Sequence, residues 1–467
     1  MSRTRLSFAW WIPALSVALV APVAAQPAPS TPAPAPTAPV ADPGQPAPGE
    51  DVDKARAEAD QVEREKAAKD QAEKAARAEK EKAEQAARDQ AAKPATTITP
   101  YGVMVLDGWY NTGVMTNADV PLTAATPAAG NEASIGATAR QSRFGAKIAS
   151  PGVATALSAR TVEGTFEIDF FGGYYPTNNN SWVNQLLPRL RLFSVVVTFD
   201  KIKIVAGQDW MLFAPVNPES IHHMELPALS NAGNLWARLP QLSVHAQLGA
   251  ITAAVGVLAP VDSTATGTAA VAAVRDPGAA DKSLVPSLQG RVAYAVKTPD
   301  ASVTAGVSGH LGREEVAGDP AMMIAAHDVA SWGAAGDLVV QVGKLITFKG
   351  EAFIGANLDP FFSGASIAGP AGLQDPTPVR GYWGQLAVRP GNLGLFLSVG
   401  SDNPEAPDAG RLPANAISRN LAVNAAATWT FAPKLVAGLE VDYLDTKRAV
   451  IAAQTETQIA ATVQYGF

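Results

Sequence analysis

The chain has 467 residues, enough for one large β-barrel with additional segments, and carries a net charge of −7 with only 17% charged residues. Such a mildly acidic chain lacks the basic surface that nucleic acid requires, so no nucleic-acid partner is expected. The absence of cysteine excludes disulfide frameworks, zinc–thiolate sites and cysteine nucleophiles. No Ser/His/Asp set, glycine-rich phosphate loop or H-E-x-x-H motif appears, so we expect neither an enzyme nor a cofactor.

Residues 1–25 have the pattern of a secretory signal peptide. Arg3 and Arg5 form a basic start, an apolar run follows, and Val23-Ala24-Ala25 supplies small residues for cleavage. A membrane anchor is the alternative, but the apolar run is short for a spanning helix and Pro22 follows it. No later segment approaches the ~20 apolar residues of a spanning helix, so the mature chain can cross a membrane only as a closed barrel.

Two segments of different composition follow. Residues 26–50 are rich in Pro and Ala and predict an extended tether that buries no core. Residues 51–93 are rich in Ala, Glu, Lys, Arg and Gln, with acid-to-base pairs four residues apart such as Asp60/Arg64, and predict a helix that Pro94 ends. Its apolar residues keep coiled-coil spacing only to Val62, so a solvated spacer and a weak oligomeric coil both remain open.

From residue 98 onward, apolar and polar residues alternate, and long and tight connections take turns. An even strand number, with tight turns at one end and long loops at the other, is the plan of an outer-membrane barrel, whereas a soluble sandwich has no reason to sort its loops. We therefore predict an all-β fold, a 16-stranded antiparallel transmembrane β-barrel over residues 98–467, with an aqueous bore and a preceding α-helical segment. The predicted strands are Ile98–Asn111, Ala139–Ala149, Thr161–Phe171, Leu187–Phe199, Ile202–Trp210, Asn234–Leu248, Ile251–Leu258, Pro286–Val296, Ala301–Leu311, Trp332–Val342, Leu345–Asn357, Val379–Val388, Asn392–Gly400, Ser418–Phe431, Leu435–Leu444 and Thr455–Phe467. The seven tight turns are predicted at Ser150-Pro151-Gly152, Asp200-Lys201, Gly249-Ala250, Pro299-Asp300, Gly343-Lys344, Pro390-Gly391 and Pro433-Lys434.

The last predicted strand, Thr455–Phe467, shows the alternation most clearly. One face carries Ile459, Val463 and Tyr465, and the other carries polar residues such as Gln458. A strand that is wetted on one side and ends in aromatic residues suits a barrel whose outer face meets lipid and an aromatic belt. An ordinary sandwich strand at the chain end is the alternative.

Strand parity also assigns the charged residues to a face. Charge facing lipid is costly, so Arg189 and Arg191 are predicted to point into the bore, opposite Leu190, Leu192 and Val196. A bulge at Pro240 is needed to place Arg238 inward. These residues either set ion selectivity at a charged constriction or are ordinary solvated lumen residues. The predicted pore-lining residues are Arg143, Lys147, Glu163, Glu167, Asp169, Arg189, Arg191, Lys203, Arg238 and Arg291.

The third long loop, Met211 to Gly233, is predicted to contribute to a constriction. It holds Glu219, His222, His223 and Glu225. The neighbouring histidines could bind a metal, but histidines on a loop are more often simply polar, so no metal site is predicted.

Four short segments carry a family likeness: Gln141–Gly145 (Q-S-R-F-G), Phe166–Gly173 (F-E-I-D-F-F-G-G), Pro188–Leu192 (P-R-L-R-L) and Gly207–Trp210 (G-Q-D-W). With the signal peptide, helix and sixteen strands, they resemble the DcaP-like porins of Gram-negative bacteria. The resemblance is best over residues 98–249. It implies a trimeric outer-membrane channel with a periplasmic helical coil that takes up small anionic solutes such as dicarboxylates. Basic lumen residues transfer from the family only where the motifs match, at Arg143, Arg189 and Arg191.

The sequence therefore predicts an outer-membrane porin, a passive channel for small hydrophilic, anionic solutes, with the tether and helix in the periplasm. Its expected partners are outer-membrane lipid, two further copies in a homotrimer, small anionic solutes, and peptidoglycan or another periplasmic contact through the helix. The alternative is a barrel-anchored structural protein whose helix tethers the envelope.

Overall fold

The computed structural model describes residues 50–91, 95–126, 132–172, 186–261, 279–316, 325–363, 377–405 and 416–467. The predicted signal peptide and nearly all of the predicted tether lie outside the described residues, as does much of several long loops. Two compact units divide near residue 86. None of the described helices is both long and apolar enough to span a membrane.

The first unit contains helix α1 (Glu50–Ala91), which is 42 residues long. The prediction of a helix before the barrel is confirmed. Its side chains from residue 56 to residue 85 are all exposed, and Arg77 pairs with Glu81 one turn later at 3.3 Å. Such pairs support an isolated helix, which at this length is a rod of about 60 Å.

The second unit is a closed antiparallel β-barrel of sixteen strands, as predicted. Closure comes from the pairing of the first and last strands, where Val103 lies opposite Gly466 and Asn111 opposite Gln458. The first barrel strand is β1 (Thr97–Asn111). The second consists of two pieces, β4 (Ser134–Thr138) and β5 (Arg143–Ala149). The other strands are β6 (Thr161–Asp169), β7 (Arg189–Thr198), β8 (Ile202–Trp210), β9 (Arg238–Leu248), β10 (Ile251–Leu258), β11 (Ser287–Lys297), β12 (Ala301–Val316), β13 (His327–Val342), β14 (Ile346–Ala356), β15 (Pro378–Val388), β16 (Leu393–Pro404), β17 (Ile417–Ala432), β18 (Leu435–Arg448) and β19 (Gln454–Gly466). A two-residue hairpin of β2 (Met115–Thr116) and β3 (Thr123–Ala124), helices α2 (Pro151–Ala156) and α3 (Ala279–Lys282), and a 3-10 helix (Asp359–Phe361) lie in the connections.

The last strand alternates as its sequence predicts. Ile459, Val463 and Tyr465 are each 48% exposed, whereas Gln458 and Thr462 are buried. In a closed barrel the exposed set faces outward and the buried polar set faces the interior. The tight turn predicted at Ser150-Pro151-Gly152 is wrong, because Pro151 starts helix α2 there. Proline suits the first turn of a helix, where its missing N–H is not needed.

Two expectations about strand faces are also wrong. The pairing of β6 with β7 shifts after Glu167, which lies opposite Leu192, while Ile168 lies opposite Leu190, so Arg191 is an extra residue in β7. Beyond this bulge the parity reverses: Val195 is 48% exposed, so Leu192 and Val196, predicted to face outward, have the inward parity.

The second wrong expectation concerns β9. Pro240 pairs regularly with Gln208, and the described pairing of β8 with β9 contains no register shift. The bulge predicted at Pro240 is therefore absent.

Candidate functional site

The third loop, residues 211–237 between β8 and β9, folds into the barrel. Most of its residues are buried, and their polar contacts reach inward-facing side chains on several strands. Buried backbone N–H groups need acceptors, and the wall supplies them. The acceptors are Gln289 for Leu212 and Phe213, Ser308 for Ala214, Glu351 for Val216, Gln385 for Glu219, Glu440 for Ile221 and His222, and Gln141 for Met224 and Glu225.

The loop passes close to the wall again before it leaves the barrel. Gly233 has φ +101°, and a Cβ there would lie 2.2 Å from the carbonyl oxygen of Tyr382. Only glycine combines this backbone conformation with so close an approach. Glycine at position 233 therefore allows the second half of the loop to lie against β15.

An apolar cluster lies between the third loop and the inner wall. Phe213, Leu235 and Trp236 of the loop pack with Leu358 and Phe361, which lie in the connection after β14. Sequence reasoning predicted an aqueous bore and missed this cluster. Part of the interior is dry because the loop has its own apolar side chains to bury.

Three arginines meet three carboxylates where the loop approaches β5, β6 and β7. Arg189 Nη2 lies 2.6 Å from Asp169 and 3.4 Å from Glu225. Arg191 donates to Glu167 at 2.6 Å and to Asp169 at 3.1 Å, and also forms an ion pair with Glu225. The Arg143 guanidinium lies 3.9 Å from Glu225. We call the six residues Arg143, Arg189, Arg191, Glu167, Asp169 and Glu225 the arginine cluster.

Two arginines of the arginine cluster are partly exposed, whereas its three acids and Arg191 are buried. The carboxylates of Asp169 and Glu225 are fully buried, whereas the side chains of Arg143 and Arg189 are 25% and 28% exposed. Arg191 is 2% exposed and serves to neutralise buried acids. A solute beside the cluster therefore meets guanidinium groups before carboxylates.

Arg238 lies in the same region, but it contacts tryptophan rings and a backbone oxygen of the loop. Its guanidinium carbon lies 5.0 Å from the ring centres of Trp210 and Trp236, and it donates to the Glu225 carbonyl oxygen at 3.2 Å. Arg238 thus contacts the loop from the end of β9, without the predicted bulge. Stacking between aromatic rings makes it a packing contact as well as a charge.

A second charged group includes Glu219 of the loop. Its carboxylate lies 2.7 Å from Lys349 and also pairs with Arg389. Burial favours the neutral carboxyl, but the hydrogen bonds and charges of Lys349 and Arg389 outweigh it and hold the pKa of Glu219 below its ordinary value. Sequence reasoning missed Arg389, which lies between the predicted strand Val379–Val388 and the predicted turn at Pro390-Gly391.

The two histidines attach the loop to nearby parts of the wall, since β1 and β18 both pair with β19. His222 contacts Asp107 through Nδ1 at 3.3 Å and the Asp119 carbonyl oxygen through Nε2 at 2.5 Å. His223 Nε2 lies 3.2 Å from Asp442. Burial alone would lower the pKa of His222, but hydrogen bonding to Asp107 and its charge raise it to about 9.

His223, Glu440 and Asp442 place three potential ligand atoms within 4.8 Å of one another, a spacing that could admit a metal ion. Glu440 Oε1, however, already accepts hydrogen bonds from Ser220 at 2.7 Å and Asn424 at 2.6 Å. With those donors in place, the group attaches the loop to the wall through hydrogen bonds.

The other predicted residues lie apart from the arginine cluster. Lys147 lies 5.8 Å from the Tyr101 ring centre, and Glu163 is exposed near the start of β6. Arg291 pairs with Asp337 at 2.5 Å, and Lys203 and Arg291 line one cavity of about 540 Å³. A separate cavity of about 360 Å³ brings Arg143 and Arg191 together with Glu219 and His223.

Comparison with known proteins gives matches to solved structures alone: no family model and no curated protein matches the chain. The outer membrane channel DcaP of Acinetobacter baumannii superposes with a TM-score of 0.59 at 16% identity, over 80% of this chain and 98% of that chain. The chain has the fold of a DcaP-like porin. The resemblance read from the four short segments is thus confirmed for the fold.

Two other outer-membrane proteins match this chain with lower TM-scores. Pseudomonas putida OprB has a TM-score of 0.48 at 8% identity, covering 79% of this chain and 94% of that one. Salmonella typhi OmpF has the same TM-score at 10% identity, covering 79% and 97%.

Proposed function

We propose that the protein is an outer-membrane porin, a passive channel for small hydrophilic anions of the dicarboxylate type, and that it is not an enzyme. The observation that carries this proposal is the arginine cluster. Two of its arginines, Arg143 and Arg189, are partly exposed, and its acids are buried. Arg143 and Arg191 line the cavity of about 360 Å³ beside the loop. The DcaP-like fold supports the outer-membrane location and the channel role.

Electrostatics gives the proposed direction of selectivity. In a narrow passage a charge is screened less than in bulk water, so guanidinium groups at the surface favour anions. The buried acids cancel part of the cluster's charge, so the net charge of the barrel is a poor guide. What matters is the sign of the groups that a passing ion can touch.

The test is the reversal potential of single channels in a salt gradient. We expect the wild type to prefer anions and Arg143→Ala and Arg189→Ala each to reduce that preference. Arg313→Ala is the matched control, because Arg313 is 57% exposed and pairs with Asp328 outside the third-loop region. Cation preference in the wild type would refute the proposal, as would equal selectivity in all four proteins.

We also propose how the segments are used: residues 1–25 as a signal peptide, 26–50 as a tether, 51–93 as a periplasmic helix and 98–467 as the barrel of a homotrimer. The exposed, charged surface of α1 supports a second role, in which the helix tethers the barrel to peptidoglycan. Deletion of residues 26–93 tests both. A spacer predicts trimers with unchanged conductance, an assembling coil predicts monomers, and tethering predicts loss of co-purification with cell-wall material.

A further inference from the structure

A row of polar and basic residues crosses the outer face of four adjacent strands at the end that carries the long loops. Arg380 on β15 lies opposite Asn403 on β16, and Arg419 on β17 lies opposite Lys447 on β18. Asp402 pairs with Asn420, which places Asn403 beside Arg419. At a strand spacing of ~4.8 Å, the three basic residues span roughly 15 Å. We call Arg380, Asn403, Arg419 and Lys447 the basic row.

Parity shows that the basic row faces outward. Tyr382 and Leu386 share a face with Arg380 and are 52% and 46% exposed, whereas Val379 and Trp383 on the other face are buried. The Arg380 side chain is itself 68% exposed. These cations therefore lie on the outside of the barrel.

The residues below the basic row follow the layers of a membrane. One step down, Tyr382 lies opposite Ser401, and Ser401 lies opposite Leu421. Two further steps down, Leu386, Leu397, Ala425 and Val441 form a purely aliphatic row. On β15 the order is aliphatic at Leu386, aromatic at Tyr382 and basic at Arg380, which is the order that hydrocarbon, interface and phosphate layers impose on an outer surface. On β18 the acid Asp445 lies at the level of Tyr382.

A groove joins the basic and apolar layers. It has a volume of about 550 Å³, and its lining includes Arg380, Arg419, Tyr382, Ile354 and Leu421. Two guanidinium groups at the edge of an apolar groove complement a phosphate attached to an acyl chain. An uncharged lipid would contact only the apolar groove, and a free anion would contact only the guanidinium groups.

Of the two acids beside the basic row, Glu405 is exposed, whereas Asp445 is 21% exposed and neutralises part of the Arg419 charge. Arg380 pairs with Glu405 at 3.1 Å, but both side chains are more than half exposed, and Arg419 pairs with Asp445. Exposed ion pairs are weak, so a phosphate can replace Glu405 at little cost. Arginine is also suited to phosphate through its paired, planar donors.

We propose that the basic row and the groove below it form a binding site for a phosphorylated, acylated lipid of the outer leaflet. The inference rests on the proposed outer-membrane location with the long loops outside. It is independent of which ions the channel passes.

The experiment titrates the full-length protein, refolded in detergent without lipid, with bisphosphorylated lipid A and counts bound lipid by native mass spectrometry. Each basic residue near a charged membrane surface contributes on the order of fivefold, so we expect Arg380→Ala/Arg419→Ala to bind roughly tenfold to thirtyfold more weakly. Lys297→Ala/Lys344→Ala, which removes two lysines at the tight-turn end, should bind like the wild type. Glu405→Gln/Asp445→Asn removes the competing acids and should bind more tightly.

Further arms identify the source of the phosphate. We expect dephosphorylated lipid to bind weakly to every variant and inorganic phosphate alone to leave bound lipid A in place. Equal binding by the two double alanine variants, or equal binding of dephosphorylated lipid, would overturn the proposal. A change of oligomeric state in Arg380→Ala/Arg419→Ala would assign the surface to another copy and overturn it as well.

Folding and channel function are checked separately. Heat-dependent gel mobility shows whether each variant forms the barrel, and Arg380→Lys/Arg419→Lys, which keeps both charges, should retain most of the binding. Reversal potentials of the same variants should match the wild type. A channel that does not prefer anions would thus leave the lipid-binding proposal standing. A protein that does not bind lipid A would likewise leave the proposed anion selectivity standing.

Discussion

Single carboxylates of the third loop differ in what surrounds them. Glu225 is fully buried against three arginines, whereas the Glu219 side chain is 40% exposed beside Lys349 and Arg389. The first carboxylate is mainly structural, because its removal takes a buried negative charge away from the buried Arg191 and from the neighbouring Arg143 and Arg189. The second can be changed with less damage to the fold, since water already screens it.

Glu219→Gln should therefore increase the preference for anions. It leaves Lys349 and Arg389 without a countercharge where a passing ion can reach them. We expect a two- to fivefold rise in the anion-to-cation permeability ratio, about the effect of one screened charge at contact distance. Glu405→Gln, which removes an exposed, arginine-paired carboxylate on the outer face, is the control and should change nothing. A fall in the permeability ratio for Glu219→Gln would contradict the role of Glu219 as the countercharge of Lys349 and Arg389.

His222 gives a prediction for alkaline pH. Its folded-state pKa of about 9 lies above the ordinary value of 6.5, so the attachment of the protonated ring is complete below about 6.5 and lost as pH rises through about 9. The groups facing it are Asp107, Glu440, Asp442 and His223. We expect loop-dependent current fluctuations to increase between pH 7 and pH 10.

The control for this pH effect is a histidine far from the loop. His222→Gln should show the fluctuations at every pH, because it lacks the charged attachment. His327→Gln, at the partly exposed start of β13, should keep the wild-type pH profile. A pH profile for His222→Gln that equals the wild type would exclude His222 as the titrating group.

At the scale of elements, the third loop and the wall strands depend on each other. The loop supplies backbone donors and apolar side chains, and the strands supply acceptors from their inward faces. Gly233 is one of the points where loop and wall backbones approach closely. A substitution there tests the seating of the loop without changing any charge.

Gly233→Ala should unseat the returning half of the loop. Its Cβ would overlap a backbone oxygen that cannot move without disturbing β15, in addition to about 1–2 kcal/mol of left-handed backbone strain. We expect a lower unfolding temperature and larger, noisier conductance. Gly249→Ala is the matched control: φ is also positive, at +66°, but a Cβ there has no described atom within 4 Å. Equal effects in the two variants would mean that strain alone, and not loop seating, is responsible.

For the whole molecule, the orientation of the barrel is the remaining prediction. Long connections gather at one end and tight turns at the other, which predicts that the long loops face outward and the tight turns face the periplasm. Epitope tags in the loops around residues 262–284 and 402–418 should be labelled on intact cells. A tag at the Pro433-Lys434 turn should be labelled only after the outer membrane is permeabilised. Labelling of that turn on intact cells would reverse the orientation.

The sequence by itself determined the barrel. Alternation is a local property with a period of two, and the cost of charge facing lipid gives each face its sign, so the number of strands could be read in chain order. The strand ends at the long loops were not, since β12 and β13 extend five residues farther than predicted. The terminal strand shows this, since the exposed and buried sets around Ile459 and Gln458 follow its alternation. Parity predicts that Arg143, Arg189 and Arg191 point into the bore, but it predicts the same of Lys147 and Lys203, which lie apart from the arginine cluster.

Which charges meet and which stay exposed depends on contacts between residues that are far apart in the chain. The bulge at Arg191 depends on the register of β7 against β6, and register is set by interactions across strands, which local alternation does not record. The contacts of Glu225 and His222 join a loop to strands 36 and 115 residues away along the chain. Their partners follow from the path of the loop inside the closed barrel, because only closure brings β1, β7 and β18 to the same interior.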